Sequence, residues 1–248
     1  MKIKHTLILV LLTFCGCSQN NEQPAHIRFG DFLFGNDATT ITLESTNGDS
    51  KNYNVSYAQI TQYNNVKPGE YTIKVTGDGK QVLNKKYGLA RDKYYTIYAY
   101  GQPEYSKEIN QKTTSTKLHH IVSGEDAATE NGGLPQLKIM DDSFQGGKGE
   151  TQIRWLHVAP LAEAISAEAK NIQKDKKQSL SSLKYGKTAK AVSLKSGSYD
   201  VKWKLKGSPL QVAYLPKEFN ADSLYTLFVT PQPGQYADSL QVIVGASN

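Results

Sequence analysis

The sequence predicts an all-β protein of two tandem β-sandwich domains behind a short N-terminal leader, and three observations predict it. First, short apolar segments at residues 27–34, 39–44, 71–76 and 94–100 are separated by Asn36-Asp37, Asn47-Gly48-Asp49, Pro68-Gly69 and Gly77-Asp78-Gly79. These separators supply positive φ or a preset bend, so the chain reads as a meander or sandwich and not as a βαβ chain. Second, the second half repeats the first. Ile27-Arg28-Phe29 returns as Ile153-Arg154-Trp155, Gly69-Glu70-Tyr71 as Gly197-Ser198-Tyr199, and Tyr95-Thr96-Ile97-Tyr98 as Tyr225-Thr226-Leu227-Phe228, at offsets of 126, 128 and 130. So small a drift in chain order means two copies of one unit with minor loop changes. Third, the chain opens with Lys2 and Lys4, an apolar run at 7–12 too short to span a bilayer, and Gly16-Cys17.

That opening resembles the lipobox of bacterial lipoproteins. A small residue precedes the cysteine, while Phe14 stands where the pattern usually has a large aliphatic residue. Cys15 fits less well, because Phe14 would then occupy the small slot. The resemblance implies a lipid on Cys17 and attachment to a membrane through it. An ordinary secretory signal is the competing reading, but its cut would leave a cysteine as the new N-terminus. Residues 17–25 are polar, aperiodic and suited to a flexible tether. Ser18 in place of Asp after the anchor resembles the sorting rule for outer-membrane delivery. With Glu22 the one acid in the tether, the sequence leaves open which face of the outer membrane the protein occupies.

Removing residues 1–16 takes two lysines and no acid, so the net charge falls from +6 to +4. Cys15 goes with the leader and Cys17 is taken up by the lipid ahead of the folded part, which excludes a disulfide, a thiol nucleophile and a cysteine-bound metal there. The basic excess is scattered as single lysines. Its tightest run, Lys174-Asp175-Lys176-Lys177, is broken by an acid and reads as a solvated loop, so no nucleic-acid partner is expected.

Taken in order, the first domain covers residues 26–145. Gly77-Asp78-Gly79 opens no helix and lacks the Gly-x-Gly-x-x-Gly spacing, so it is a hairpin turn and not a phosphate loop. A polar insert at about residues 105–135 cannot hold a core of its own and is a candidate contact loop, with one short strand at 118–122. Gly146-Gly147-Lys148-Gly149 marks the boundary, and residues 150–248 form the second domain. Within it, residues 161–170 hold four alanines and two glutamates and have helical composition, but the repeat aligns them with the strand at 39–44. The repeat predicts a strand there.

At Gln152-Ile153-Arg154-Trp155-Leu156-His157-Val158-Ala159-Pro160 the chain resembles an uncharacterised family of bacterial envelope domains. Their repeats open on an Arg-Val-x-His-Ala-Ser-Pro-like strand, pass a Tyr-Gly turn and a Pro-Gly-x-Tyr strand, and close near Leu-Asp-Asp. Tyr185-Gly186 matches the turn, Gly-x-Tyr occurs in both copies, and Met140-Asp141-Asp142 matches the first close. The first copy departs with Gly30-Asp31-Phe32, and the second lacks the acidic close. The resemblance implies immunoglobulin-like sandwiches on a lipoprotein and no known reaction. The predicted architecture is therefore all-β, two tandem immunoglobulin-like β-sandwich domains after a lipoprotein signal peptide.

Little in the sequence points to catalysis. His26, His119, His120 and His157 show no metal-ligand spacing, and no Gly-x-Ser-x-Gly or Ser-x-x-Lys accompanies His157, which reads as a hydrogen-bonded strand-end histidine. Asp141-Asp142 and Glu125-Asp126 lack the alternating oxygens of a calcium loop. No catalytic residue, metal or cofactor is assigned. The candidate ligand-binding residues are tyrosines. Alternation over residues 94–100 places Tyr95, Ile97 and Ala99 on the core face and Tyr94, Tyr98 and Tyr100 on the other. That strip suits a glycan or an envelope protein unless the insert or the second domain covers it. The functional reading is a non-enzymatic binding or adhesion module, with a carboxylate-dependent hydrolase and a structural spacer as alternatives.

Overall fold

The computed structural model describes residues 23–103, 133–160, 162–206, 209–235 and 239–247. Cys17 and the leader, and residues 104–132 of the insert with His119 and His120, lie outside the described residues.

Seventeen strands account for the regular structure described. The first half of the chain forms β1 (Ala25–Leu33), β2 (Ala38–Ser45), β3 (Ser50–Ser56), β4 (Gln59–Ile60), β5 (Asn64–Val66), β6 (Gly69–Gly77), β7 (Lys80–Leu89), β8 (Tyr94–Gly101) and β9 (Gln136–Asp141). The second forms β10 (Glu150–His157), β11 (Ile165–Asn171), β12 (Lys177–Leu183), β13 (Val192–Lys195), β14 (Gly197–Leu205), β15 (Gln211–Phe219), β16 (Ser223–Pro231) and β17 (Leu240–Ser247). The helical composition of residues 161–170 is overridden. β11 pairs with β12 and β14, burying Ile165, Ala167 and Ala169, and the small alanines let the bulky Trp203 of β14 sit opposite Ala167. Asp78 and Gly79 carry φ of 49° and 71°, the signature of the two-residue turn that joins β6 to β7.

The strands build four sheets in two matching pairs. One sheet runs β4-β1-β8-β9, with β5 also on β1, and its counterpart runs β13-β10-β16-β17. The others run β3-β2-β6-β7 and β12-β11-β14-β15. In both halves the opening strand pairs in parallel with a late one, and the registers coincide. Ile27, Arg28 and Phe29 face Tyr95, Thr96 and Ile97, as Ile153, Arg154 and Trp155 face Tyr225, Thr226 and Leu227.

Burial pattern separates outer sheets from inner ones. β6 alternates, with Tyr71, Ile73 and Val75 buried and Thr72, Lys74 and Thr76 half-buried, as expected of a sheet with one wet face. β1, β8, β10 and β16 show almost unbroken burial, so both faces of each are covered. One cluster, including Ile27, Phe29, Ile41, Ile73, Val75 and Ile97, fills the space between the two sheets of the first half. Another, including Trp155, Ile165, Val201, Trp203 and Leu227, does so in the second. A third joins the inner sheets: Phe32, Tyr98 and Tyr100 pack against Leu156, Val158 and Phe228.

Candidate functional site

The parallel pairing puts an arginine and a threonine side by side in each half, on the face turned toward the other half. Arg28 Nε donates to Thr96 Oγ1 at 2.7 Å, and Arg154 Nε donates to Thr226 Oγ1 at 2.8 Å. Each guanidinium then crosses to the opposite half. Arg28 Nη1 donates to the carbonyl of Ala246, and Arg154 Nη1 to that of Asp141, both at 2.7 Å. Asp141 and Ala246 are counterparts by register, opposite Tyr95 and Tyr225. The two arginines thus form a reciprocal clamp about a local two-fold.

Asp142 breaks that symmetry and closes the clamp. Its fully buried carboxylate accepts from Arg28 Nη2 at 3.3 Å, from Tyr63 Oη at 2.7 Å, and from Thr96 Oγ1 and Arg154 Nη2. Ser247 stands at the matching place in the second half, its hydroxyl 3.1 Å from the carbonyl oxygen of Asp142. Two cations against one anion leave an excess positive charge, and the Tyr63 ring, 4.5 Å from the Arg28 guanidinium carbon, offers its negative face to it. The Met140-Asp141-Asp142 segment therefore supplies an internal counterion.

The sequence-assigned tyrosines divide. Tyr98 and Tyr100 are each 1% exposed, enclosed by Leu156, Val158 and Phe228, so they are no ligand-binding strip: the second half of the chain covers them. Alternation had the faces right, since Ile97 and Ala99 do belong to the first cluster. Tyr94 is half-buried at the seam, stacked on His26 at 4.2 Å with Tyr63 edge-on at 5.2 Å.

Two titratable groups occupy equivalent strand ends. Asp31 Oδ1 accepts from Leu33 N at 2.9 Å and its carbonyl from Ala58 N at 2.8 Å. His157 Nδ1 accepts from Ala159 N at 3.4 Å, and its carbonyl from Gly186 N at 2.8 Å. Nε2 of His157 lies 2.9 Å from the Glu163 carbonyl, so the proton sits on Nε2 and both ring nitrogens are used. Burial pushes Asp31 up to about 6 and His157 down to about 4. His157 is a buried, neutral, hydrogen-bonded strand-end residue. Among the described residues, no three His, Cys, Asp or Glu side chains come together to hold a metal ion.

Among the described residues, each half carries an open cleft. The first, about 270 Å³, lies between the β2–β3 turn and the β5–β6 turn, and Ser45, Asn47, Asp49, Tyr53, Lys67 and Tyr71 are among its walls. The second, about 280 Å³, occupies the equivalent place and includes Asn171, Lys174, Lys176, Lys177, Lys195 and Tyr199. The same hydrogen bond braces both: Tyr71 Oη donates to the Lys67 carbonyl and Tyr199 Oη to the Lys195 carbonyl, each at 2.8 Å. Sequence reasoning marked Asn47-Gly48-Asp49, Pro68-Gly69 and the repeated Gly-x-Tyr as turns and strands, and did not see that together they wall a cleft.

No curated protein matches the chain. Solved structures resemble it distantly. The tip fimbrial protein of Porphyromonas gingivalis, truncated at its C-terminus, is 9% identical over 90% of this chain and 98% of its own, with a TM-score of 0.28. The TIE protein of Bacillus anthracis is 10% identical over 85% of this chain and 34% of its own, at 0.25. A family CBM26 carbohydrate-binding module of Eubacterium rectale, in complex with maltoheptaose, is 10% identical over 90% of this chain and 97% of its own, also at 0.25. TM-scores at this level transfer no property to the chain. Residues 25–125 match the family described as a Domain of unknown function (DUF4397).

Proposed function

We propose that this chain is a lipid-anchored outer-membrane protein whose two tandem immunoglobulin-like domains act together as a non-enzymatic binding module, contacting ligand through the clefts at their turns. The observation that carries this reading is the pair of equivalent clefts left facing solvent while the buried arginines, Asp142 and His157 are engaged in holding the fold. Two clefts on one braced body can engage two points of a single polymer, which raises affinity without new contacts. A glycan or an envelope protein is the partner class.

The test is a printed glycan array probed with residues 18–248. Saturable binding is expected, and Thr46→Trp or Lys174→Trp, at exposed rims of the two clefts, should weaken it by at least about tenfold with an unchanged melting temperature. Absence of binding, or binding indifferent to both changes, would overturn the module. Anchoring is tested separately. Cys17→Ser should release the protein from the membrane fraction or leave it unprocessed, whereas Cys15→Ser should do neither; membrane retention of the Cys17 variant refutes the lipid. Protease shaving of whole cells then reads the exposed face.

A further inference from the structure

The two clefts are equivalent in place and different in chemistry, and the difference identifies a ligand class for the first. Tyr53 lines it, nine-tenths buried, with its ring packed 4.6 Å from Phe29, and its hydroxyl has no hydrogen-bond partner among the described residues. Ser45, on the same wall, also has a buried hydroxyl without a partner. Burying a hydroxyl unpaired is unfavourable, so two at one wall call for something that pairs them.

The second half provides an internal control. Tyr53 faces Ile41, which faces Val75; the matching positions are Leu180, Ala167 and Trp203. Ser45 faces Tyr71, as Asn171 faces Tyr199. In the second half the first hydroxyl is thus replaced by an aliphatic side chain. The second is replaced by an amide whose oxygen accepts from Gln173 N at 3.1 Å and Lys174 N at 2.9 Å. The fold does not need either hydroxyl. Charge separates the clefts as well: Asp49 and Glu70 balance Lys51 and Lys67 in the first, while four lysines outnumber Glu150 in the second.

We infer that the first cleft is a binding site for a neutral, hydroxyl-rich ligand, a sugar ring or the end of a neutral oligosaccharide. Hydroxyls of such a ring both donate and accept, which suits the Tyr53 and Ser45 hydroxyls, and the Asp49 carboxylate and Asn47 amide stand at the rim for the remaining ones. The apolar face of the ring finds Pro68 and Tyr71. A volume of about 270 Å³ lies just under the usual range of roughly 300–1,000 Å³ for drug-sized ligands, which fits one ring and part of the next.

This inference rests on the binding-module reading, and its test separates the two. Isotope-labelled residues 18–248 are titrated in solution with glucose, galactose, mannose, N-acetylglucosamine and their disaccharides, with galacturonate as the acidic control. Amide shifts are expected at residues 43–53 and 66–71 with at least one neutral sugar. Tyr53→Phe, which keeps the ring, should weaken that binding by at least about tenfold while the melting temperature holds or rises, because an unpaired buried hydroxyl is removed. Ser45→Ala should behave likewise. No neutral sugar shifting these amides, or Tyr53→Phe binding as wild type, overturns the inference. In either case, array binding that is lost on Lys174→Trp would leave the module reading standing on the second cleft.

Discussion

Asp142→Ala is expected to cost about 3–5 kcal/mol, because it leaves Arg28 and Arg154 buried against each other without a counterion. Their side chains are 6% and 12% exposed, so water screens them poorly, and each also keeps a backbone carbonyl and a threonine that hold it in place. Denaturant melts of the variant check the figure, and a loss under about 1 kcal/mol would mean that the clamp is idle. The three groups act as a unit, so single replacements should be strongly non-additive with Asp142→Ala. Replacing all three with apolar residues of similar volume should recover most of the loss, since the net worth of a buried ion network lies mainly in not breaking it. The variant should also melt in two steps. The first and second clusters are separate, and what binds one half to the other is the third cluster, the clamp and polar bridges such as Tyr57 Oη donating to the Pro231 carbonyl at 3.0 Å.

Asp31 and His157 should give the protein opposing pH dependences. Asp31 titrates at about 6 when folded against an ordinary 3.8, so its contribution is complete below about 3.8 and is lost as pH rises through about 6. His157 titrates at about 4 against an ordinary 6.5, so its contribution is complete above about 6.5 and is lost as pH falls through about 4. Each shift corresponds to about 3 kcal/mol. Between about pH 4 and 6.5 the two nearly cancel, and the wild type should be flat. Asp31→Asn, whose amide oxygen still accepts from Leu33 N, should gain up to about 3 kcal/mol at pH 7.5 and lose it on acidification. His157→Gln should lose stability at neutral pH and regain some of it toward pH 4. Melting temperature against pH reads both, and profiles parallel to the wild type would sink the proposal.

How much of this was legible in the chain depended on whether a residue's partner was local. The repeat offsets located β1, β6, β8 and their counterparts, because each copy must bury the same face. Arg28 and Arg154 recurred visibly, as did Thr96 and Thr226, yet nothing in the spacing says that a parallel register sets each pair side by side or that both arginines reach for Asp142. The edge strands were missed for a different reason. In β3 only Tyr53 and Val55 turn inward among polar neighbours, and β7 is half-exposed along most of its length, so the period-two signal is diluted. Tyr98 and Tyr100 misled because alternation reports which face a side chain takes and is silent about what lies over it. The unbroken apolar character of β8 was the clue to a second cover. The cleft walls came from turn residues, whose sequence signature specifies backbone geometry and says nothing of the space enclosed.

The parallel pairing of β1 with β8 has a mechanical consequence. Any pull exerted through the chain ahead of residue 25 enters directly at the first residue of β1, a strand inside its sheet, between β8 on one side and β4 and β5 on the other. Its rungs to β8 run from His26 through Leu33, across the line of tension, so they are loaded together in shear and do not open one after another like a zipper. Arg28, riding on the same strand, passes part of that load into β17 through Ala246. A pull arriving by this route is met by the eight-rung β1–β8 seam loaded all at once.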